Sequence, residues 1–220
     1  MSNEVNIAPS ILSADFGHLM EDISKVEDRC RFLHIDVMDG HFVNNISFGI
    51  PVIRSIRPKT DMFFDVHLMV DNPEMYLELF ADAGADAITF HIECTKDPRS
   101  LISRIKAKGK KAGIAIHPST PVEAVFPYIS DLDLILLMSV IPGHGGQKFM
   151  AEAPARIASL REAIDREGNS TILSVDGGIN RDTASLAVSS GARLLVAGSA
   201  VFGAEDPAAA VEELLCRAEM

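Results

Sequence analysis

The sequence is poor in the residues on which several classes of protein depend. It contains no tryptophan, two tyrosines and three cysteines, and Cys30, Cys94 and Cys216 are too far apart for a CxxC pair. An odd number of dispersed cysteines argues against a disulfide framework and fits a reducing compartment. The first residues, Met1 to Glu4, lack a basic segment followed by an apolar one. We therefore expect a cytoplasmic protein whose cysteines are buried rather than reactive.

Long apolar runs and basic clusters are also missing. The richest apolar run, residues 134–141, has the length of a strand and is too short to span a membrane. Lysine and arginine number 20 against 31 acidic residues, which gives a net charge of −11. The one short basic group, residues 106–111, is typical of a helix C-terminus. These features predict neither a membrane nor a nucleic-acid partner.

What the chain does contain is a regular alternation of short apolar runs and amphipathic stretches. The amphipathic stretches have helix-start residues: an Asn or Asp precedes Pro73, Pro98 and Pro207, and Thr120 begins a capping box. The apolar runs predict eight strands at residues 5–9, 32–38, 62–69, 87–90, 112–116, 134–140, 171–175 and 194–197.

Strands that alternate with helices predict parallel βαβ units. Eight such units, with no linker between them, predict one domain over residues 1–220 with the α/β fold of a single (β/α)₈ TIM barrel. A doubly wound open sheet is the alternative. It would need a GxGxxG fingerprint after the first strand, which residues 9–12 do not supply.

The second predicted strand carries two polar side chains. His34 and Asp36 are two residues apart and therefore lie on the same face of the strand. A buried imidazole and carboxylate are costly unless each has a partner. Either they bind a metal ion or they form a buried hydrogen-bonded pair, and this stretch alone leaves both interpretations open.

Other polar residues recur once in each βα unit. Because the carboxyl ends of barrel strands form one face, residues at these ends are expected to share a site. Five of the seven histidines also fall at or just past these ends. The polar residues in question are Ser10, His34 and Asp36, Asp65 and His67, His91 and Glu93, His117, Ser139, Asp176 and Ser199, with His144 in a following loop.

Glycines cluster after the last three predicted strands, at residues 143–146, 177–178 and 198. Glycine allows backbone N–H groups to converge on an anion, and the loops after strands seven and eight are the usual phosphate site of such barrels. Tight βα turns are the alternative reason for these glycines. Three clusters in succession favour the phosphate interpretation.

Six motifs resemble the ribulose-phosphate 3-epimerase family, in register from about Ile7 to Phe202. They are SILSADF at 10–16, HIDVMDGHF at 34–42, DVHLMV at 65–70, PGHGGQ at 142–147, VDGGI at 175–179 and VAGSAVF at 196–202. The resemblance implies a metal-dependent isomerase that converts D-ribulose 5-phosphate to D-xylulose 5-phosphate through an enediolate.

The resemblance also implies roles for individual residues. His34, Asp36, His67 and Asp176 would hold one divalent ion, for which zinc, iron, manganese and cobalt all suit the mixed nitrogen and oxygen ligands. Asp36 and Asp176 would be the acid/base pair. A homo-oligomer is also expected, with a small phosphorylated sugar as the only other partner.

The remaining implied residues surround the sugar phosphate. Met38, Met69 and Met138 would pack over the enediolate, although their spacing alone indicates core residues. His91 and Glu93 are expected behind the site. The substrate contacts implied are Ser10, His67 and Asp176, the phosphate-binding residues Gly177, Gly178, Gly198 and Ser199, and the lid residues Gly143, His144, Gly145 and Gly146.

Four positions depart from the family pattern: Asn44, His117, Ile141 and His144. The metal and acid/base residues are intact, but the preferred ketose phosphate stays open, and six-carbon sugars are among the candidates.

A barrel lyase or decarboxylase is a rival function that would need an Asp-x-Lys-x-x-Asp array, and residues 36–39 lack its lysine. A non-catalytic sugar-phosphate binder is the other, but it would have no use for two opposed carboxylates.

Overall fold

A computed structural model describes residues 4–219, which form eight parallel strands surrounded by helices. Successive strands pair from β2 to β8, and β8 pairs with β1. A parallel bridge between Ser10 and His34 joins the first strand to the second. The strands are β1 Asn6–Pro9, β2 Phe32–Met38, β3 Phe63–Met69, β4 Ala87–His91, β5 Lys111–Ile116, β6 Leu134–Met138, β7 Ile172–Asp176 and β8 Leu194–Ala197.

Helices follow the strands, so the chain is a (β/α)₈ TIM barrel, as predicted. Between β5 and β6 the connection is instead a 3₁₀ segment, Val122–Asp131. None of the described helices is long and apolar enough to cross a membrane. The helices are α1 Leu19–Val26, α2 Ile50–Ile56, α3 Leu77–Ala83, α4 Pro98–Ala107, α5 Ala153–Arg166, α6 Ala184–Ser189, α7 Ser199–Phe202 and α8 Pro207–Ala218.

Helix capping follows the sequence prediction at two of four places. The Asp97 and Asp206 side chains accept from the backbone N–H groups of Ser100 and Ala209. Asn72 makes no such bond, and the capping box predicted from Thr120 is wrong. The segment there begins after Pro121 and contains Pro127, and proline removes the N–H that an α-helical ladder needs.

The two-residue period of the strands separates two apolar layers. In β2, Leu33, Ile35 and Val37 pack outward under the helices. Phe32 lies on the opposite face, in a barrel interior filled by alanine, leucine and valine from the other strands. His34 and Asp36 have the same parity as Phe32 and therefore point into the barrel. The inward face of β2 therefore begins with an apolar residue, Phe32, and continues toward the carboxyl end of the strand with His34 and Asp36.

The cysteine prediction is partly wrong. Cys30 and Cys94 are half-buried, and burial raises the pKa of each thiol to about 12. Cys216 is exposed. It lies on the outer face of α8, the last helix of the barrel, so its thiol is not sheltered by the core.

Arg57, just after α2, ties together the amino-terminal ends of β3 and β4. Its guanidinium donates to Asp86 Oδ2 at 3.0 Å and to the carbonyls of Met62 and Thr60. The same group lies 3.7 Å from the centroid of the Phe64 ring. These contacts share one planar cation that is largely enclosed, so they cannot be replaced by water without loss.

We expect Arg57→Ala to lower the free energy of unfolding by about 2 kcal/mol, because two carbonyls lose their donor and Asp86 keeps only the Phe64 backbone N–H. Urea denaturation of the metal-free protein measures the change. Arg54→Ala, at an exposed position in α2, is the matched control and should cost less than about 0.5 kcal/mol. Equal effects of the two substitutions would contradict this role for Arg57.

Candidate active site

Four side chains converge inside the carboxyl end of the barrel. His34 and Asp36 come from β2, His67 from β3 and Asp176 from the last residue of β7. Each offers one nitrogen or oxygen, and these atoms all lie within 4.8 Å of one another. Asp36 and His67 are register partners, which explains why two adjacent strands deliver them to the same level. The sequence assigned these residues to one site, and the fold brings them together.

The spacing of these atoms suits a single small cation. His67 Nδ1 lies 3.0 Å from Asp36 Oδ1 and 3.9 Å from Asp176 Oδ2, and His34 Nε2 lies 3.3 Å from Asp36 Oδ1. Ligands bound at about 2.1 Å to one ion, at angles near 90–110°, are about 3.0–3.4 Å apart. The donor set and the two shorter distances therefore fit a divalent metal.

A second observation separates a metal site from a buried hydrogen-bonded pair. His34 Nε2 is fully buried and makes no hydrogen bond within residues 4–219, because the contact with Asp36 Oδ1 at 3.3 Å does not have hydrogen-bond geometry. A buried ring nitrogen without a partner is costly. The other ring nitrogen, Nδ1, lies 2.9 Å from Asp65 Oδ2, so the ring is held with Nε2 pointing into the cluster. A bound cation would satisfy this nitrogen.

Asp65 and Ser10 fix the ligands from behind. The Ser10 hydroxyl donates to Asp36 Oδ2 at 2.5 Å, which leaves Oδ1 facing the cluster. Asp65 orients His34, as outer carboxylates commonly do for metal-binding histidines. The sequence located Asp65 at the correct strand end but gave it no partner. The available signal was that Asp65 and His67 repeat the two-residue spacing of His34 and Asp36.

The two carboxyl groups differ in acidity. Burial opposes ionisation of Asp36, but the adjacent His34 and His67 hold the pKa of its carboxyl well below the usual value. Burial and the negative charge of Asp36 raise the pKa of Asp176. Environments that separate the pKa values of two nearby carboxyl groups are typical of acid/base pairs.

A pocket of about 570 Å³ opens above the four residues. Its floor includes the three methionines singled out in the sequence, Met38, Met69 and Met138, all nearly fully buried. That volume includes space open to solvent at the mouth of the pocket. Ser10, Asp36, Asp176, Gly177, Gly178, Gly198 and Ser199 line the same pocket, together with the loop 143–146.

Close packing adds to turn geometry in explaining Gly178. Its φ is +66°, and an added Cβ would lie 2.3 Å from the Phe149 backbone nitrogen, so the position excludes any side chain. At Gly198 there is no positive φ, and an added Cβ would lie 2.5 Å from Ser13 Oγ, which would have to move away. Both glycines line the pocket.

Ser13 is a pocket residue that the sequence reasoning missed. It lines the pocket, and its hydroxyl lies beside both Gly198 and the loop residue Gly145. The signal was its place in the motif at 10–16, three residues after Ser10. It shares the 3₁₀ turn that begins beside Ser10, and the turn brings both hydroxyls to the pocket.

The loop 143–146, defined here as the lid, is held by two amide side chains. Asn45 donates to the Gly143 carbonyl at 2.9 Å, and Gln147 donates to the carbonyls of Ile141 and His144. His144 and Ile141 are exposed, and the His117 ring contacts Ser119 rather than the four-residue cluster. The departures from the family pattern at Ile141, His144 and His117 therefore lie outside the four-residue cluster.

The fold and the site together define a class: a TIM barrel with a two-histidine, two-carboxylate centre beside a glycine-lined pocket. The model of the ribulose-phosphate 3 epimerase family matches residues 6–202. The chain belongs to this family.

Curated relatives cover nearly the whole chain. A ribulose-phosphate 3-epimerase of Bacillus subtilis (strain 168) is 46% identical over 96% of this chain and 98% of the relative. One from Mycobacterium tuberculosis (strain ATCC 25618 / H37Rv) is 45% identical over 94% and 90%. The cytoplasmic isoform of Oryza sativa subsp. japonica is 45% identical over 94% and 92%.

Two solved structures share the fold at low identity. Orotidine 5′-phosphate decarboxylase from Pyrococcus horikoshii OT3 has a TM-score of 0.71 at 15% identity, covering 97% of this chain and 99% of its own. A 3-hexulose-6-phosphate synthase has a TM-score of 0.67 at 20% identity, with the same coverage. This likeness concerns the barrel alone.

Proposed function

We propose that the chain catalyses the metal-dependent 3-epimerisation of D-ribulose 5-phosphate to D-xylulose 5-phosphate, with Asp36 and Asp176 as the proton carriers. Its relatives are named for this activity. The observation that carries the mechanism is the placement of the two carboxyl groups. They stand on β2 and β7, two strands that are not neighbours in the barrel, and both line the pocket.

Inversion of a carbon requires a proton to leave one face and another to arrive at the opposite face. Asp36, whose pKa is lowered, is ionised and takes the C3 proton from one face. Asp176, whose pKa is raised by burial and by the charge of Asp36, is the carrier that delivers a proton to the other face. In the reverse direction the two roles are exchanged.

His34, Asp36, His67 and Asp176 would hold one divalent ion, with zinc, iron, manganese and cobalt as candidates. The ion supplies Lewis-acid stabilisation of the negative charge that develops on the substrate oxygens as the enediolate forms. Met38, Met69 and Met138 cover this region with apolar surface and exclude water from it. Ser10, which lines the pocket, orients the reacting end of the sugar, whereas His67 is fully buried and does not line the pocket.

The glycine-lined part of the pocket binds the phosphate. Backbone N–H groups of Gly177, Gly178, Gly198 and Ser199 are the proposed donors, and the Ser13 hydroxyl lies beside them. The lid, with His144 at its tip, closes over the bound sugar phosphate.

We expect Gly178→Ala to raise KM for the sugar phosphate at least about tenfold, because the methyl group displaces the backbone that binds the anion. Steady-state kinetics measures the change. Gly168→Ala is the matched control: it has nearly the same φ, +63°, but open space around the added Cβ. It shares the backbone strain and should leave KM unchanged. An equal rise in both variants would contradict a phosphate role for Gly178.

The activity is tested by incubation of the purified protein with ribulose 5-phosphate in deuterated water. Epimerisation with deuterium incorporated at C3 is expected, whereas binding without exchange would indicate a non-catalytic barrel.

The preferred substrate is tested by comparing kcat/KM for ribulose 5-phosphate with kcat/KM for six-carbon ketose phosphates. We expect ribulose 5-phosphate to be preferred, and a strong six-carbon preference would refute this substrate assignment.

Three further expectations stay predictions. They are that residues 1–220 form one catalytic domain, that the protein is cytoplasmic, and that it is a homo-oligomer. Sedimentation of the purified protein tests the last of these.

A further inference from the structure

We propose that His91 and Glu93 are positioning residues that keep the proton of His67 on Nε2, so that Nδ1 is free to bind the metal. This inference rests on the metal site proposed above. Neither residue belongs to the four-residue cluster. His91 is the last residue of β4 and Glu93 lies in the turn that follows it.

The chain of contacts begins at Glu93. Its Oε1 accepts from the His117 backbone N–H at 3.0 Å, and its Oε2 lies 3.2 Å from His91 Nδ1. Burial opposes its ionisation, but hydrogen bonds from His91, Thr120 and the His117 backbone lower the pKa of Glu93 to about 2. An ionised carboxylate only accepts hydrogen bonds. Nδ1 of His91 must therefore carry a proton and donate.

The next contact joins two imidazoles. His91 Nε2 lies 2.9 Å from His67 Nε2, so one nitrogen donates and the other accepts. His91 has no exposed surface, and the Phe42 ring packs on it with 4.5 Å between centroids. An imidazolium in such surroundings is costly, so His91 is neutral and its Nε2 is the acceptor. The proton between the rings then belongs to His67.

The position of this proton determines the state of the other nitrogen of the His67 ring, Nδ1. A neutral imidazole with its proton on Nε2 has a lone pair on Nδ1. Nδ1 is the atom that faces Asp36 and Asp176. Without the acceptor behind it, the proton could move to Nδ1 and be donated to Asp36 Oδ1, 3.0 Å away, which would block the metal ligand. Outer partners of metal-binding histidines act in this way.

Three variants test the series of contacts from Glu93 through His91 to His67. In wild-type Glu93, His91 and His117 each have their own carboxylate oxygen as acceptor. In Glu93→Gln, an NH₂ group that can only donate replaces one of these oxygens, so one of the two bonds loses its acceptor. His91→Leu removes the acceptor for His67. His91→Gln restores an acceptor oxygen and serves as the conservative rescue. Glu123→Gln, at an exposed position, is the control for loss of one negative charge.

Co²⁺ affinity of the metal-free protein, measured by competition with a chelating indicator, is the first readout. We expect the Kd for Co²⁺ to rise about 10- to 100-fold in Glu93→Gln and in His91→Leu. In His91→Gln, the Kd should return most of the way to the wild-type value. Glu123→Gln should bind as the wild type does. Thermal unfolding of each variant identifies any that fail to fold, and His91→Gln against His91→Leu then carries the test.

The second readout is ¹⁵N NMR of the His67 ring in the metal-free protein. The proton should be on Nε2 in the wild type and should move toward Nδ1 in Glu93→Gln. A proton on Nδ1 in the wild type would overturn the inference, as would unchanged Co²⁺ affinity in both Glu93→Gln and His91→Leu. Failure of the wild type itself to bind any Co²⁺ would instead remove the metal site, and with it the proposed function.

Discussion

Asp176→Asn should lower kcat for epimerisation by about 10³- to 10⁴-fold, the range expected when a positioned proton carrier is lost. Asparagine has nearly the same shape but cannot hold and release a proton at Oδ2. Burial and the charge of Asp36 raise the pKa of Asp176 to about 6, so its carboxyl takes up and releases a proton closer to neutral pH than an ordinary aspartate does. Its loss removes delivery to one face of the substrate carbon.

The pattern of isotope exchange makes this prediction specific. If Asp36 still removes the C3 proton from ribulose 5-phosphate, Asp176→Asn should retain slow exchange with solvent deuterium while forming almost no xylulose 5-phosphate. Starting from xylulose 5-phosphate, whose C3 proton faces Asp176, exchange should be lost as well. Product formation and deuterium content are both measurable by NMR on the same sample.

Metal content must be measured in the same preparations, because Asp176 is also a proposed ligand. Element analysis of Asp176→Asn separates loss of the ion from loss of the proton carrier. Asp182→Asn, an exposed acid six residues further along the chain, is the matched control and should keep full activity. If Asp176→Asn retained its metal and more than a tenth of wild-type kcat, Asp176 would not be a proton carrier.

The barrel could be predicted from the alternation of eight apolar runs with amphipathic stretches, and the ligand set from the resemblance of the motifs at 34–42, 65–70 and 175–179 to the family. His34 with Asp36 and Asp65 with His67 each point into the barrel once the strand is correctly located. Strands β2 and β8 have the bounds that were predicted, since their apolar runs begin and end sharply. Local pattern was enough for these features.

Contacts between distant segments could not be predicted in this way. The bond between Asp65 and His34 depends on the register of β2 against β3, and the approach of Ser13 to Gly198 depends on how the barrel closes. The contact between His67 and His91 likewise joins two strands through side-chain rotamers. Apart from Ser13, the sequence placed these residues at the correct end of the barrel but could not pair them.

Removal of the metal should have an effect as large as loss of a proton carrier. We expect chelation to reduce epimerisation to below about 1% of the starting rate, and Zn²⁺, Mn²⁺, Co²⁺ or Fe²⁺ to restore it. The C3–H bond is only weakly acidic, and without an ion nothing stabilises the negative charge of the enediolate when a carboxylate removes the proton. Without an ion, His34 Nε2 stays unpartnered, and the close approach of His67 Nδ1 to Asp36 Oδ1 has no cation to screen it.

A thermal readout makes this test independent of activity. An ion that binds only the folded protein stabilises it by about 2.7 kcal/mol at a free concentration of 100 Kd. Add-back should therefore raise Tm in the wild type. His34→Ala, which lacks one proposed ligand, should show a much smaller rise at the same ion concentration. His18→Ala, at an exposed histidine outside the cluster, should respond as the wild type does. An ion-free preparation that turned over undiminished would exclude the metal, and with it the assignment of His34 and His67 as ligands.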